Sequence, residues 1–319
     1  MASRLTYSAS AKRTTMADTR HSAPELVIAI ASSALFDLEE ADAVFQQQGK
    51  EPYRAFQRAN ETTPLLPGAA FPFIRRLLAL NRGLLHPLVE VVLISRNDPD
   101  TGLRVRLSCE HHGLPLSRMA FIGGSQPWPY LTAFNTHLFL TRRADDVREA
   151  LAAGFAAGEI LTGACADDDG TELRIAFDFD GVLADDSSER IFKEHGLQAF
   201  QDHEEAHAAT PATPGPMARL LQAIAQVQQH LPKTPSAARL RTAIVTARSW
   251  PADRRVISTL RAWGINVDEA FFLGDGSKEP VLRQFRPHIF FDDRRGNADL
   301  ARLAGPSVHV PFGINNPPA

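Results

Sequence analysis

The sequence predicts an α/β fold in which a mostly parallel β-sheet is covered by helices on both faces. Three observations support this fold class. Short apolar runs of strand length recur along the chain, segments with apolar residues at helical spacing separate them, and the alternation starts again after a polar, acidic stretch near the middle. Strands buried on both faces form such continuous apolar runs, and an intervening helix lets the next strand run parallel to the last.

The first half of the chain contains four candidate strands separated by candidate helices. The strand candidates are LVIAIA at residues 26–31, VEVVLIS at 89–95, MAFIGG and HLFLT. The helix candidates are a stretch with aromatic anchors at 43–59, FPFIRRLLALNRGL, a segment at 104–112 and ADDVREALAAG. Gly113 follows the third of these helices and is expected to end it, because glycine tolerates the left-handed backbone of a C-cap.

A second series of strands and helices follows the polar stretch LTGACADDDGTE at residues 161–172, which we interpret as a linker or surface loop. The predicted strands are LRIAFDFD, LRTAIVTAR, DEAFFLG and HIFFDD, and the predicted helices are MARLLQAIAQVQQHL and DRRVISTLRAWG. The second series therefore repeats the alternation of the first.

Identical residues at constant spacing in the two halves indicate an internal duplication. Related strand–helix units share hydrophobic patterning in any such fold, but patterning alone does not require matching Pro and His residues. We therefore predict two related halves, at 23–160 and 173–319, after a disordered tail at 1–22. The matched pairs are Ile28 with Ile175, Ala29 with Ala176, Phe45 with Phe192, Arg104 with Arg255, Val105 with Val256, Gly113 with Gly264 and, in one ungapped run, Phe121 with Phe272, Gly123 with Gly274, Pro129 with Pro280, Leu131 with Leu282, Phe134 with Phe285, His137 with His288 and Phe139 with Phe290.

The bulk composition argues against several classes of protein. A net charge of −3 and a pI near 6.4 provide no basic field for nucleic acid, whereas one local positive site suffices for a small anionic substrate. Two cysteines provide no disulfide framework, and no apolar run reaches the ~18 residues that a membrane helix needs. We expect a cytoplasmic protein without a membrane or nucleic-acid partner, and a homo-oligomer is compatible with the sequence.

Polar and charged residues stand at or just beyond the ends of four predicted strands in the second half. Parallel strands end at the same edge of a sheet, and ligands bind at that edge in open α/β folds. The candidate site residues are Asp178, Asp180, Thr246, Ala247, Lys278, Asp292 and Asp293. The positions of the first half that match the four acids, Thr246 and Lys278 carry Ala31, Ser33, Ser95, Pro127, Thr141 and Arg142. The acids and the lysine are therefore absent from the first half.

Carboxylates that converge at one edge repel one another and raise each other's pKa values, and a divalent cation removes that cost. Ligands that are all oxygen atoms favour Mg²⁺, which retains waters and shares a phosphate with its substrate. We expect Asp292 and Asp293 to hold the ion, one directly and one through water. Asp178 would also bind it, and Asp180 would contribute its backbone carbonyl.

The same residues suit phosphoryl transfer. Asp178 can attack phosphorus and form an aspartyl-phosphate. Asp180 can protonate the leaving oxygen and then activate water. The hydroxyl of Thr246 and the N–H groups that follow it, that of Ala247 included, can hold phosphate oxygens, and Lys278 can stabilise the charge of the transition state.

Each of these residues alone has an ordinary structural explanation. An Asp-x-Asp pair is common in surface loops, a threonine after a strand is often an N-cap, a loop lysine is usually solvated and paired aspartates often mark a turn. Their combination, in this order and each near a strand end, is far more specific than any of its parts.

The combination resembles the haloacid dehalogenase superfamily of phosphatases and phosphotransferases. DFDGV matches its first motif, VTAR its second, the lysine of GDGSKEP its third and FFDD its fourth. This resemblance implies a Rossmann-like fold and Mg²⁺-dependent phosphoryl transfer through Asp178, with the first half as a degenerate copy.

A closer resemblance, to the cytosolic 5′-nucleotidase type I family, extends over roughly residues 27–293. It rests on IAIASSALFDLEEA, NETTPLLPGAAFPF, the FIGGSQPWPYL run, DFDGVLADDSSERIFKEHGL, VTARS, LRAWGINVDEAFFL and RPHIFFDD. The resemblance implies hydrolysis of nucleoside 5′-monophosphates, notably AMP. The first motif here is DFDGV where family members have DGDAV, so both aspartates are kept.

Residues 186–240, between the first and second motifs, are predicted to form a small helical cap that excludes water and contacts the leaving group. Phe192, His195 and Phe200 are candidates for a base contact, although packing inside the cap is the favoured role for each. Two alternative functions fit the motifs: a phosphatase for another small phosphomonoester, and a nucleotide-binding regulatory module without turnover.

Overall fold

The computed structural model describes residues 23–161, 170–234 and 237–316. The strands in these ranges are β1 (Leu26–Ile30), β2 (Val89–Ser95), β3 (Arg118–Phe121), β4 (Leu138–Thr141), β5 (Ala157–Leu161), β6 (Leu173–Phe177), β7 (Leu240–Thr246), β8 (Glu269–Phe272), β9 (Ile289–Asp292) and β10 (Ser307–His309). The helices are α1 (Ser32–Leu35), α2 (Glu39–Gln48), α3 (Lys50–Ala59), α4 (Phe71–Ala79), α5 (Pro99–His111), α6 (Trp128–Leu131), α7 (Ala144–Ala152), α8 (Ser187–Ala206), α9 (Ala218–His230), α10 (Asp253–Ala262), α11 (Glu279–Phe285) and α12 (Arg295–Ala301).

All ten of these strands belong to one sheet, in the order β3-β2-β1-β4-β5-β10-β9-β6-β7-β8. Every neighbouring pair is parallel except β5 with β10, which is antiparallel. The predicted α/β fold with a mostly parallel sheet is confirmed. Helices between consecutive parallel strands supply the crossovers that such pairing requires.

The order of the strands repeats itself around the antiparallel pair. The N-terminal half (residues 23–161) has the order β3-β2-β1-β4-β5, and the C-terminal half (residues 170–316) has the corresponding order β8-β7-β6-β9-β10. Their edge strands β5 and β10 meet with Glu159 opposite His309. A Cβ atom at Gly158 would lie 2.1 Å from a methyl group of Val308, so glycine permits the close approach of the two halves.

The largest hydrophobic core draws on both halves. Alternate residues of β1 and β6, such as Ile28 and Ile175, point into it together with α4 and α9. The next residues of the same strands, such as Ala29 and Ala176, belong to two separate clusters on the other face. Helix α4 also contacts β6, and α9 contacts β1, so each half contributes a helix that packs on a strand of the other.

Two predicted helices have different bounds in the structure. The stretch at 43–59 is two helices, α2 and α3, because Gly49 adopts φ 84° and ψ −168° between them. Helix α5 begins before the predicted 104–112, since Asp98 accepts the N–H of Thr101 as an N-cap. Gly113 has φ 64° directly after this helix, as expected for its C-cap.

The predicted cap at 186–240 contains one helix of the core. Seven residues of α9 are buried and the helix packs on β1, so it belongs to the helical layer of the sheet. Helix α8, the other helix of this segment, contacts α10. The predicted tail at 1–22 and most of the predicted loop at 161–172 lie outside the described residues. Within the described ranges, no helix combines the length and the apolar character needed to cross a membrane.

Candidate active site

The sequence-predicted residues meet where β6, β7 and β9 end. Asp178 directly follows β6 and donates its N–H to the carbonyl of Phe291 in β9. Asp292 is the last residue of β9 and Thr246 the last residue of β7. Because these three strands are parallel neighbours, their final residues lie along one edge of the sheet. The fold thus brings together groups that are more than a hundred residues apart in the chain.

Asp178, Asp292 and Asp293 form a buried acidic group whose carboxylate oxygens lie within 4.8 Å of one another. Burial raises the pKa of Asp178 to about 7, with Lys278 acting against it and Asp292 adding repulsion. Burial likewise raises the pKa of Asp293 to about 8, and the charge of Asp178 adds to the effect. Three hard oxygen donors whose charged forms are disfavoured without a counterion are a set that could bind a divalent metal ion.

Lys278 joins two members of this acidic group. Its Nζ atom lies 2.6 Å from Oδ2 of Asp178 and 2.7 Å from Oδ2 of Asp292, and the side chain is buried. Burial alone would lower the pKa of Lys278, but the two carboxylates outweigh it and raise the pKa above its usual value. The ammonium group therefore stays charged beside Asp178.

The turn after β6 depends on Gly181. This residue has φ 71°, and a Cβ atom here would lie 2.8 Å from Cγ of Asp293. The preceding backbone is equally constrained, because Oδ1 of Asp178 accepts the N–H of Phe179 at 2.7 Å. The glycine of DFDGV is thus required both by the left-handed backbone and by the close approach of Asp293.

Thr246 and Ala247 line the same small cavity as Asp178 and Lys278. The Oγ1 atom of Thr246 accepts the backbone N–H of Arg248 at 3.2 Å. In this arrangement the hydroxyl is an acceptor on one side and keeps its hydrogen for a ligand on the other. The predicted phosphate contacts are therefore beside the predicted nucleophile.

The carboxylate of Asp180 lies outside the acidic group. Both of its oxygens accept from the guanidinium of Arg248, at 2.8 Å from Nε and 2.7 Å from Nη2. The prediction that Asp180 contributes to a metal site thus concerns its backbone carbonyl and not its side chain. Arg248 was missed by the sequence analysis, although it is the arginine of the VTAR motif.

Four further residues at the cavity were also missed. Asn297 donates to both oxygens of Asp292 at 3.2 Å, and Asn315 donates to Oδ2 of Asp293 at 2.8 Å. Arg294 pairs with Glu189 at 2.5 Å on the rim. Asn297 lies one turn after FFDD, a spacing that could have drawn attention to it. Nothing local distinguishes Asn315, which reaches the site through the fold of the C-terminal segment.

Several acids and aromatic residues near the first motif have structural contacts. Asp185 accepts from the N–H and hydroxyl of Ser187, and Asp186 accepts the N–H of Ile314 at 2.6 Å. Phe192 and Phe200 pack edge to face with ring centres 6.2 Å apart. Asp185 and Asp186 are thus engaged in local and C-terminal contacts. The two rings pack on each other as favoured, but Phe192 remains 40% exposed. The packing role favoured for His195 is wrong, because this residue lies on the exposed side of its helix.

The matching edge of the N-terminal half is built differently. Ser32 and Ser95 are hydrogen bonded through their hydroxyls at 2.9 Å. Arg96 forms an ion pair with Asp146 there. Among the described residues, the acidic group of the C-terminal half brings three metal-ligand side chains together, and the N-terminal half has no counterpart.

Comparison with known proteins relates this chain to one enzyme family. The family model described as 5′-nucleotidase matches residues 18–317. Cytosolic 5′-nucleotidase 1B of Homo sapiens is 37% identical over 294 residues, which cover 88% of this chain and 48% of that protein. The chain therefore spans about half the length of this curated relative, and no solved structure matches it. With the phosphatase motifs assembled at one sheet edge and the family match covering nearly the whole chain, we conclude that this chain belongs to the 5′-nucleotidase family.

Proposed function

We propose that this protein is a Mg²⁺-dependent 5′-nucleotidase that converts nucleoside 5′-monophosphates such as AMP to nucleoside and phosphate. The observation that carries the proposal is the buried contact of Lys278 with both Asp178 and Asp292, inside the three-acid group at the ends of β6 and β9. The carboxylate of Asp178 lies beside the ammonium group of Lys278 and within a group of acids that could hold a metal ion. Positive charge at these two places suits attack on an anionic phosphate. The human relative is named as a cytosolic 5′-nucleotidase, which supports both the substrate class and a cytoplasmic location.

The donor set fits Mg²⁺. Asp178, Asp292 and Asp293 offer oxygen ligands alone, and burial with mutual repulsion disfavours their charged forms unless a cation is bound. The backbone carbonyl of Asp180 is the further ligand we propose. When bound, the ion would neutralise phosphate oxygens and help to orient the phosphate for in-line attack.

The side chains then divide the reaction between them. A carboxylate oxygen of Asp178 attacks phosphorus as the bond to the 5′ oxygen breaks, and Asp180 gives a proton to that oxygen. Asp180 next takes a proton from water, whose oxygen attacks phosphorus and releases phosphate from Asp178. Throughout, Lys278, the hydroxyl of Thr246 and the N–H of Ala247 stabilise the phosphate oxygens.

We further propose that α8 and the loop after it form the cap of this site, and that the N-terminal half is a degenerate copy without turnover. Helix α8 starts six residues after Gly181 and carries Glu189, which lines the cavity. The N-terminal half has the corresponding strand order but lacks the acids and the lysine.

A substrate panel tests the proposal. Purified full-length protein is assayed for phosphate release from AMP, IMP, CMP, their deoxy forms and unrelated phosphomonoesters, with MgCl₂ or with EDTA. We expect release from nucleotides that needs Mg²⁺ and is abolished in Asp178→Asn, because an amide cannot attack phosphorus. Release from other phosphomonoesters alone would favour a different phosphatase, and no release from any substrate would favour a binding module.

A further inference from the structure

We propose that Arg248 is a positioning residue that ties the acid/base Asp180 to helix α8 through Glu204. This inference rests on the proposed phosphoryl transfer and adds to it a dependence of proton transfer on the docking of α8. It assigns a role to a buried cluster of charges that the reaction described above does not use.

The geometry of Arg248 supports this role. Its guanidinium binds Asp180 with two hydrogen bonds, is 1% exposed, and forms an ion pair with Glu204 of α8, which is fully buried. The guanidinium also lies over the rings of Phe179 and Phe200, 5.0 and 5.4 Å from their centres. One planar group thus contacts the first motif and the proposed cap at the same time.

Glu204 is held by other groups as well as by Arg248. Arg255 donates to its Oε1 atom at 2.8 Å, and the hydroxyl of Ser188 donates to the same atom at 2.7 Å. Burying charges is costly unless each is paired, so a cluster of this kind needs a reason to be retained.

The N-terminal half provides an internal comparison. Its residues at the matching positions are Ser33 for Asp180, Asn97 for Arg248, Gln57 for Glu204 and Arg104 for Arg255. The contact of the last pair is the same in both halves, since Arg104 and Arg255 each donate Nε to a threonine carbonyl at 3.0 Å. The residues at the other three positions are uncharged in the N-terminal half, where α2 and α3 contact each other and α3 contacts α5.

The N-terminal half therefore packs α2 and α3 without charged residues at the positions that match Asp180, Arg248 and Glu204. In the N-terminal half the same elements are joined by the hydroxyl of Tyr53, which donates to Oδ1 of Asn97 at 2.9 Å, and by an ion pair of Arg54 with Asp98 at 2.6 Å. That ion pair is partly exposed and involves residues other than those that match Arg248 and Asp180, whereas Arg248 is buried and binds Asp180 directly. This difference supports a role for Arg248 in orienting Asp180 that goes beyond docking the helix.

A bidentate pair of hydrogen bonds from an arginine fixes the plane of a carboxylate and leaves its other lone pairs free. Asp180 held in this way presents a defined direction to the 5′ oxygen as the P–O bond breaks. Glu204 in turn fixes Arg248, so the direction depends on α8. Without the negative charge of Glu204, Arg248 loses its anchor on α8 and Asp180 loses its orientation.

Paired substrates distinguish this role from a structural one. We measure kcat/KM for AMP and for its analogue with sulfur as the bridging 5′ atom, because a thiolate leaves without being protonated. For Glu204→Gln and Arg248→Lys we expect a loss of ~10-fold or more with AMP, with the ~10²–10⁴-fold contribution of general acid catalysis as the upper limit. We expect little loss with the sulfur analogue. Asn97→Ala, which removes the matching contact in the N-terminal half, should leave the ratio of the two substrates unchanged.

Equal losses on both substrates, or no loss on either, would overturn the inference while leaving the proposed function intact. Failure of the unaltered protein to release phosphate from any nucleotide would overturn both. Thermal unfolding of each variant monitors folding, and Arg248→Lys keeps the test available if Glu204→Gln does not fold. If Glu204 acts only through Arg248, the double variant should lose no more than Arg248→Lys alone.

Discussion

At the scale of single residues, Asp178 and Asp293 are acids whose charged forms are disfavoured by the site. Burial is the largest cause that raises their pKa values, to about 7 and about 8, and neighbouring carboxylates add to it. Lys278 offsets part of this repulsion through its contacts with Asp178 and Asp292. A further cation would therefore offset the remaining repulsion, as we propose for Mg²⁺ bound together with a phosphate.

The raised pKa values predict how stability depends on pH. In the unfolded chain both acids titrate near 3.8, so between about pH 4 and pH 8 the metal-free folded state binds more protons. Their contribution to stability is complete below pH 4 and is lost as the pH rises through 7 and 8. Mg²⁺ needs the ionised acids, so we expect it to raise Tm more at pH 8.5 than at pH 6. Thermal unfolding with MgCl₂ or EDTA measures this, with Asp293→Asn as control, and an equal or larger shift at pH 6 would contradict it.

Gly181 allows a second test at the scale of one residue. A Cβ atom in Gly181→Ala would lie 2.8 Å from Cγ of Asp293, on a backbone with φ 71°. We expect a loss of ~1–3 kcal/mol in stability from backbone strain, together with loss of Mg²⁺-dependent activity from displacement of Asp293. Gly264→Ala is the matched control, because its φ is 69° and its surroundings are open. Similar activity in the two variants would show that the contact with Asp293 is unimportant.

At the scale of elements, helix α8 has the same construction as α2 and α3 of the N-terminal half. Gly196 interrupts α8 with φ 81° and ψ −178°, and Gly49 separates α2 from α3 with φ 84° and ψ −168°. An edge-to-face pair of rings also spans each glycine: Phe192 packs on Phe200 across Gly196, and Phe45 packs on Tyr53 across Gly49. The correspondence between the two halves therefore extends beyond the sheet into the element that we propose as the cap.

These two glycines form a natural pair of variants. Alanine has open space at both positions but an unfavourable backbone, so Gly49→Ala and Gly196→Ala should each cost ~1–3 kcal/mol. Only Gly196→Ala should change kcat/KM for AMP, because α8 carries Glu204 and Glu189 while α2 and α3 lie in the other half. Chemical denaturation and steady-state kinetics measure the two effects. A kinetic defect of equal size in Gly49→Ala would argue against α8 as the cap.

At the scale of the whole molecule, two halves of corresponding strand order form one continuous sheet. The matching histidines show why some identities recur. His137 and His288 each accept, through Nδ1, an N–H at the start of the first strand of their half, from Val27 at 3.1 Å and from Arg174 at 2.9 Å. These imidazoles serve the fold in both halves, whereas the acids and the lysine are present in one half only.

The N-terminal half should stay inactive when its first motif is restored. We expect Ala31→Asp combined with Ser33→Asp, made in the Asp178→Asn background, to release no phosphate from AMP. The reason is that Pro127, Thr141 and Arg142 stand where Lys278 and the later acid pair would be needed. The variant that carries these two substitutions and keeps Asp178 should retain activity, and it serves as the folding control. Phosphate release in the Asp178→Asn background would contradict the proposal that the N-terminal half has no catalytic activity.

Much of the fold and part of the site could be predicted from sequence because their signals are local. Long apolar strands such as β2 and β7 were predicted directly, whereas β5 and β10 were missed. The sequence AGEIL of β5 contains a glycine and a charge, and SVH of β10 has three residues, so neither forms a recognisable apolar run. Their status as strands depends on pairing with distant segments, since β5 lies between β4 and β10, and β10 lies between β5 and β9.

The sequence by itself determined the α/β class, the repeated order of elements and the identity of the charged residues at the strand ends. Each of these follows from hydrophobic periodicity or from motif chemistry within a few residues. Only the tertiary structure decided that the halves join through β5 and β10, that α9 belongs to the core, and that Asp180 faces Arg248 and Glu204. These features arise from contacts between distant segments, and local patterning carries no information about such contacts.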